Sequence, residues 1–368
     1  MSEKNKTTIS QKIMLFIMPV IISFVVLEIG VRLFDMFRGE SFFTDYRNEL
    51  NNVKPIVPYR MFGFAMYKGE VEQRQIASRH QELFSLQKTP DTIRVVCFGG
   101  STTENLPAFK EAGVHYPKQL QALLSQKYPN KKIEVINLGN SAYATNHSLM
   151  MLAFNVLSWQ PDIVILSHNI NDLLASYFPD FSVDYDNKYG TEYYLPNHAD
   201  KYSTLNVLFQ HSSFYWFVKG KIDKIILAPA ALHRESYAQG LPQINQEVFR
   251  RNVTSFVNLA KNNNVKVVLG TQALETSEEY FRRHMEYKPY NRLAVYPLHE
   301  EFVEHHRLFN NILQEVAEAN QVLLVDNDKA LAGKTEYFVD FVHYSVDGVN
   351  KLAESYASEL MAADYLTP

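Results

Sequence analysis

Ile93-Arg94-Val95-Val96-Cys97-Phe98-Gly99-Gly100-Ser101-Thr102-Thr103 is the stretch on which the reading of this chain turns. Its first half, apolar but for Arg94, has the length and character of a buried strand. The two glycines let the backbone turn sharply and set a serine at the strand's C-terminal end, the edge where open parallel sheets hold ligands. Backbone N–H groups at such a turn favour a developing negative charge. The same residues also suit a plain turn and helix cap. A nucleotide loop is excluded because no Gly-x-x-x-x-Gly-Lys follows. Thr103 occupies the second glycine position of a Gly-x-Ser-x-Gly elbow, which excludes that motif too.

Outward from this strand the pattern alternates. Lys132–Asn137, Asp162–Ser167, Val265–Gly270 and Val322–Val325 read as four further apolar strands. Stretches with helical spacing fall at His115–Gln126, His147–Leu157, Phe302–Ala319 and Val346–Met361. Such alternation predicts a parallel sheet covered on both faces. Residues 173–243 break the rhythm. They carry Tyr177, Phe178, Tyr185, Tyr189, Tyr193, Tyr194, Tyr202, Phe209, Phe214 and Trp216, and read as an insertion between the third and fourth strands. It fits an aromatic subcore, an active-site lid or a stacking wall for a sugar or acyl chain.

The N-terminus predicts a membrane segment. Residues 13–34 are almost wholly apolar, with Glu28 and Arg32 the charged exceptions, a pair at i,i+4 near the distal end. Lys4, Lys6 and Lys12 precede the run, so the positive-inside rule places residues 1–12 in the cytoplasm and the rest of the chain outside. No small-x-small cleavage site follows, and an uncleaved signal anchor is expected. Residues 35–90, punctuated by Pro55, Pro58, Gly63 and Gly69, read as a connecting region before a domain at 91–365.

The 368 residues suffice for one large domain or two ordinary ones. A net charge of −4 without a basic stripe gives no nucleic-acid footprint. The single cysteine, Cys97, rules out an intrachain disulfide and reads as a buried core thiol.

Three further segments bear on chemistry. Asp340-Phe341-Val342-His343 places a carboxylate and an imidazole on one loop before the last helix. A serine needs a base to take its proton, and the base needs a carboxylate to fix its tautomer. A surface Asp with a capping His is the other reading. Ser167-His168-Asn169-Ile170-Asn171-Asp172 follows the third strand and offers an amide donor or an Asx turn. Asn137-Leu138-Gly139-Asn140-Ser141-Ala142 follows the second strand. His147, His168, His305 and His306 lack a metal-ligand spacing such as His-Glu-x-x-His.

Taken in order, these segments resemble the blocks of the SGNH, or GDSL-type, hydrolases over about residues 91–361. Gly99-Gly100-Ser101 matches the Gly-Asp-Ser block, and Asp340-x-x-His343 the Asp-x-x-His block. Ala142 falls where the second block has a glycine, and Asn169 replaces the glycine of Gly-x-Asn-Asp, whereas Asn171 is kept. The resemblance implies a flavodoxin-like three-layer α/β/α sandwich with a central five-stranded parallel sheet, and neither metal nor cofactor. It implies ester cleavage through an acyl-serine, with Ser101 as nucleophile, His343 as base and Asp340 orienting it. Ser101 N–H, Ala142 N–H and the Asn171 amide would form the oxyanion hole. Gly100, Glu104, Asn105 and His168 are candidate substrate contacts by adjacency.

With its anchor, the chain resembles membrane-anchored members of bacterial surface-glycan systems. The leading expectation is an extracytoplasmic esterase removing O-acetyl groups from a carbohydrate. The alternatives are an O-acyltransferase with the same triad, a lipase or lysophospholipase, and a glycan-binding module on a decayed hydrolase scaffold.

Overall fold

The computed structural model describes residues 9–37, 67–68, 75–189, 205, 208–209, 211–226, 235–286 and 294–366. Lys4, Lys6, Pro55, Pro58, Gly63, Gly69, Tyr193, Tyr194 and Tyr202, all used in the sequence reading, lie outside them. The chain divides into two compact units, one of Met1–Lys54 with Pro196–Ala228 and one of Pro55–Leu195 with Pro229–Pro368.

The larger unit holds two sheets. The first is small and antiparallel, with β1 (Tyr67–Lys68), β2 (Gln75–Ala77) and β3 (Leu83–Ser85) in the order β1-β2-β3. All three of its strands fall in the expected connecting region, 35–90, so part of that region belongs to the larger unit. The main sheet has β4 (Thr92–Gly99), β5 (Lys132–Asn137), β6 (Ile163–Ser167), β7 (Lys266–Gly270) and β8 (Leu323–Val325). All its pairs are parallel, in the order β5-β4-β6-β7-β8, with Val95 opposite Val135 and Cys97 opposite Ile165. This is the doubly wound, flavodoxin-like order, with strands added on either side of the first one.

Alternation along the strands divides the core in two. Val96, Phe98, Val164, Leu166, Val267 and Leu269 face one way, toward the helices Thr145–Phe154, Gln243–Lys261 and His299–Asn320. Val95, Cys97, Ile163, Ile165 and Val268 face the other, toward Tyr116–Lys127 and Val346–Ala362. Both faces are therefore dry, which is why the strands read as continuous apolar runs. Cys97 is fully buried, and burial pushes its thiol up to about 12.

Arg94, the polar exception in β4, is also fully buried. Its Nε donates to Glu134 at 2.9 Å, and its terminal nitrogens donate to the carbonyls of Trp159 at 2.5 Å and Ser85 at 2.8 Å. It thus ties β3 and β5 to β4 at the end of the sheet remote from Ser101. Replacing one member of a buried pair strands its partners without solvent. Arg94→Met is expected to cost about 3–5 kcal/mol by urea unfolding. A loss below about 1 kcal/mol would mean the pair behaves as an exposed one.

The insertion does not act as one block. Tyr177, Phe178, Tyr185 and Tyr189 are buried in the core of the larger unit, and the Tyr177 hydroxyl bonds His305 Nδ1 at 3.0 Å. Phe209 and Phe214 instead pack on Phe24 within the smaller unit, each with ring centroids 5.7 Å away. That unit contains the helix Ile9–Phe37, of which Met14–Phe37 is long and apolar enough to cross a membrane, with a mean hydropathy of 2.5. Signal sequences share that property.

Candidate active site

The C-terminal edge of the main sheet brings four segments together. At the end of β4, the Gly100 carbonyl accepts the N–H groups of Thr103 at 3.1 Å and Glu104 at 3.0 Å, which starts the short Ser101–Glu104 helix. Gly99 has no room for a side chain, since a Cβ there would lie 2.1 Å from Thr103 Oγ1 and 2.7 Å from the Ser167 carbonyl. At Gly100 a Cβ would lie 2.4 Å from Asn171 Nδ2. A side chain there would have to displace the Asn171 amide.

Ser101 Oγ lies 2.8 Å from His343 Nε2, and His343 Nδ1 lies 2.7 Å from Asp340 Oδ2. A carboxylate only accepts, so Nδ1 carries the imidazole proton and Nε2 is left to accept from the serine hydroxyl. The loop is pre-set by its own backbone. Asp340 Oδ1 accepts the N–H groups of Val342 at 2.9 Å and His343 at 2.8 Å, and an antiparallel bridge joins Phe338 to Tyr344. Burial opposes charge on Asp340, but hydrogen bonds from His284 and His343 and the favourable electrostatics of these two imidazoles outweigh it. Together they hold the carboxyl well below the usual range.

His284 carries no signal in the sequence. It comes from the Glu278–Glu286 helix, and its Nδ1 stands 3.4 Å from Asp340 Oδ2. The ligating atoms of His284, Asp340 and His343 lie within 4.8 Å of one another. A cation bridging them would compete with the Asp340–His343 hydrogen bond.

Asn171 Nδ2 donates to the Tyr143 carbonyl at 2.9 Å, which leaves its second N–H for another acceptor. Ala142 adopts φ +64°, the left-handed conformation that glycine takes most easily. Its N–H has no acceptor among the described residues. Both residues are held from behind by the start of the insertion. The Lys188 ammonium, fully buried, donates to the Asn171 carbonyl at 2.8 Å, and the Tyr189 hydroxyl donates to the Ala142 carbonyl at 2.6 Å. No sequence signal marks this lysine. Burial brings it down to about 7.

Three candidate substrate contacts turn out to be internal braces. Glu104 is 1% exposed; Oε1 accepts Arg79 Nε at 2.6 Å, and Oε2 accepts the Ser141 N–H at 2.8 Å and the Ser141 hydroxyl. It therefore binds the serine turn to the Ala142 turn. Asn105 takes φ +56°, donates to the Thr102 carbonyl at 2.6 Å and accepts the Tyr116 N–H at 3.0 Å. His168 is buried and bonds Ser148 Oγ at 2.7 Å. All three were candidates by adjacency alone, and side chains in a helix or turn point away from their neighbours as often as toward them. Asn169, the other departure from the family pattern, donates to the His306 carbonyl and to Asn310 Oδ1, each at 2.8 Å. Gln272 joins the edge from β7, donating to Thr102 Oγ1 at 2.7 Å and accepting the Ile170 N–H at 2.9 Å.

Buried imidazoles make the unit acid-sensitive. Burial and neighbouring positive charge push His147, His168 and His306 from 6.5 to about 3. In the unfolded chain these groups take up protons near 6.5, so stability is complete above that pH and is lost as the pH falls toward 3. Each contributes up to about 1.4 kcal/mol per pH unit in that window. Asp172, raised to about 6 by burial, opposes the trend by one proton between its ordinary 3.8 and 6. Melting temperatures taken from pH 7 down to 4 are expected to fall steadily. A flat profile would show that these imidazoles reach solvent.

The model of the GDSL-like lipase/acylhydrolase family matches residues 97–350, well over half of the chain. None of the curated proteins matches. Among solved structures, an α/β-hydrolase enzyme from the metagenome of Lake Arreo is 15% identical, with 75% of this chain and 97% of that one covered and a TM-score of 0.43. An acetylxylan esterase from Geobacillus stearothermophilus is 18% identical, with 73% and 94% covered and a TM-score of 0.43. A GDSL-like lipase from Bacteroides thetaiotaomicron is 16% identical, with 76% and 93% covered and a TM-score of 0.41.

Proposed function

This chain belongs to the GDSL-like lipase/acylhydrolase family and is an ester-hydrolysing enzyme, and from that premise we propose that it works through an acyl-serine on Ser101. The observation that carries the reading is the chain of hydrogen bonds from Ser101 Oγ to His343 at 2.8 Å and from His343 to Asp340 at 2.7 Å. His343 Nε2 takes the hydroxyl proton as Oγ attacks the ester carbonyl. Asp340, already charged and doubly bonded to its own loop, stabilises the imidazolium that forms. The oxyanion is received by the N–H groups of Ser101 and Ala142 and the free N–H of the Asn171 amide. His343 then returns the proton to the departing alcohol. A water activated by the same imidazole releases the acid and restores the serine.

The ester we propose is an O-acetyl group on a carbohydrate, cleaved outside the cytoplasmic membrane by a domain tethered through Met14–Phe37. The lysines before the span support that orientation through the positive-inside rule. The test is an ester panel from acetyl to long-chain, including acetylated sugars, on the full-length protein in detergent. Preference for acetyl esters, with acetate released to water, is the expected result. Preference for long acyl chains would favour a lipase, and acetyl appearing on an added glycan would favour a transferase.

A further inference from the structure

Glu28 lies between Leu27 and Ile29 in the apolar helix. A carboxylate there needs partners, because unpaired charge in hydrocarbon is costly. Glu28 has four donors. Oε1 accepts Arg32 Nε at 2.7 Å and the Ser213 N–H at 2.9 Å, and Oε2 accepts Ser212 Oγ at 2.7 Å and the Phe214 N–H at 2.9 Å. Two of these are first-turn N–H groups of the Ser213–Ile226 helix, which has no internal partners for them. Glu28 thus caps that helix from a distant part of the sequence, and its charge suits the positive helix end. Arg32 extends the junction to the His211 carbonyl at 2.6 Å. The rings of Phe24 and Phe214 stand 5.7 Å apart, and those of Phe34 and Phe217 6.5 Å, so the contacts run from the middle of the apolar helix to its C-terminal turns.

We infer that the Ser213–Ile226 helix is a second membrane element, packed on the C-terminal half of the span and carrying Trp216 toward the lipid interface. The occupant of its exposed side is the bilayer, since the helix packs directly on the apolar helix read as the span, whose side chains are exposed along Met14–Phe37. Phe217 is 41% exposed and Ile222 47% exposed, apolar surface that water disfavours and lipid accepts. Tyr215 and Trp216 supply the amphipathic rings typical of headgroup level, and Lys219 and Lys221 follow them in the sequence, a composition suited to anionic headgroups. The inference rests on the reading of Met14–Phe37 as a span.

The chain has two tryptophans, and Trp159 is fully buried in the core of the larger unit, so lipid-borne quenchers report on Trp216. Full-length protein is reconstituted into phosphatidylcholine and phosphatidylglycerol vesicles carrying brominated acyl chains. Bromines near the headgroups are expected to remove Trp216 emission more than bromines near the bilayer centre, because an interfacial helix sits only about 5–10 Å deep. Trp216→Phe is expected to leave a residual emission that bromines do not touch. Stronger quenching from the bilayer centre would overturn the interfacial placement. Protein that resists alkaline carbonate extraction but shows no bromine quenching would overturn the interfacial helix while sparing the span. Release by carbonate would overturn both.

Discussion

Ser101→Ala is expected to lower kcat for ester hydrolysis by about 10⁶-fold, the cost of losing the nucleophile of a serine triad. The Ser101 hydroxyl bonds His343, and its removal forfeits about 1 kcal/mol of hydrogen bonding and no packing of consequence. The variant should therefore melt close to the parent while turning over an activated acetyl ester only at a residual rate. A fluorophosphonate probe should label the parent and not the variant. His343→Ala is expected to cost a comparable factor, and the double variant no more than either alone, because the two side chains act as a unit. Undiminished hydrolysis by folded Ser101→Ala protein would remove the assignment.

Asn171→Ala is expected to lower kcat by about 10²–10³-fold, the cost of one oxyanion donor. The loss should fall equally on kcat and kcat/KM, since the amide meets a charge that exists only in the transition state. Asn171→Asp should do worse, because it sets a negative charge against the oxyanion. A change confined to KM would make Asn171 a ground-state binding residue instead. Lys188 and Tyr189 grip the carbonyls of Asn171 and Ala142, so the donor positions depend on the insertion as well as on their own loops.

The five strands were legible because each is buried on both faces and so reads as an apolar run. Their limits shift by a residue at most, as with β6, expected from Asp162 and found from Ile163. The Gln243–Lys261 helix escapes a reading by periodicity. Its buried face includes Asn245 and Asn252, which blur the apolar stripe, and it begins where the aromatic insertion was expected to end. The insertion itself was the least legible part. Tyr177 and Phe214 are alike as letters, yet one packs in the core of the larger unit and the other against Phe24.

Glu104, Asn105 and His168, expected to contact substrate, are buried and bonded within the fold, which adjacency could not reveal for a related reason. Position next to a nucleophile constrains distance along the chain, but not the direction of a side chain. Arg79 and Ser141, which claim the Glu104 carboxylate, come from segments far from it in sequence.

The parallel sheet, the apolar N-terminal helix and the residues of the serine, histidine and aspartate loops are thus written in the order of the amino acids alone. Periodicity and turn chemistry act over a few residues, and a linear text records them directly. Packing was needed to bring Ser101, His343 and Asp340 within hydrogen-bond reach, to leave Gly100 bare beneath Asn171, and to let Glu28 cap a helix far along the chain. Those relations depend on which buried charge finds which donor once the chain is folded. That choice is made by desolvation across distant segments, and no local pattern encodes it.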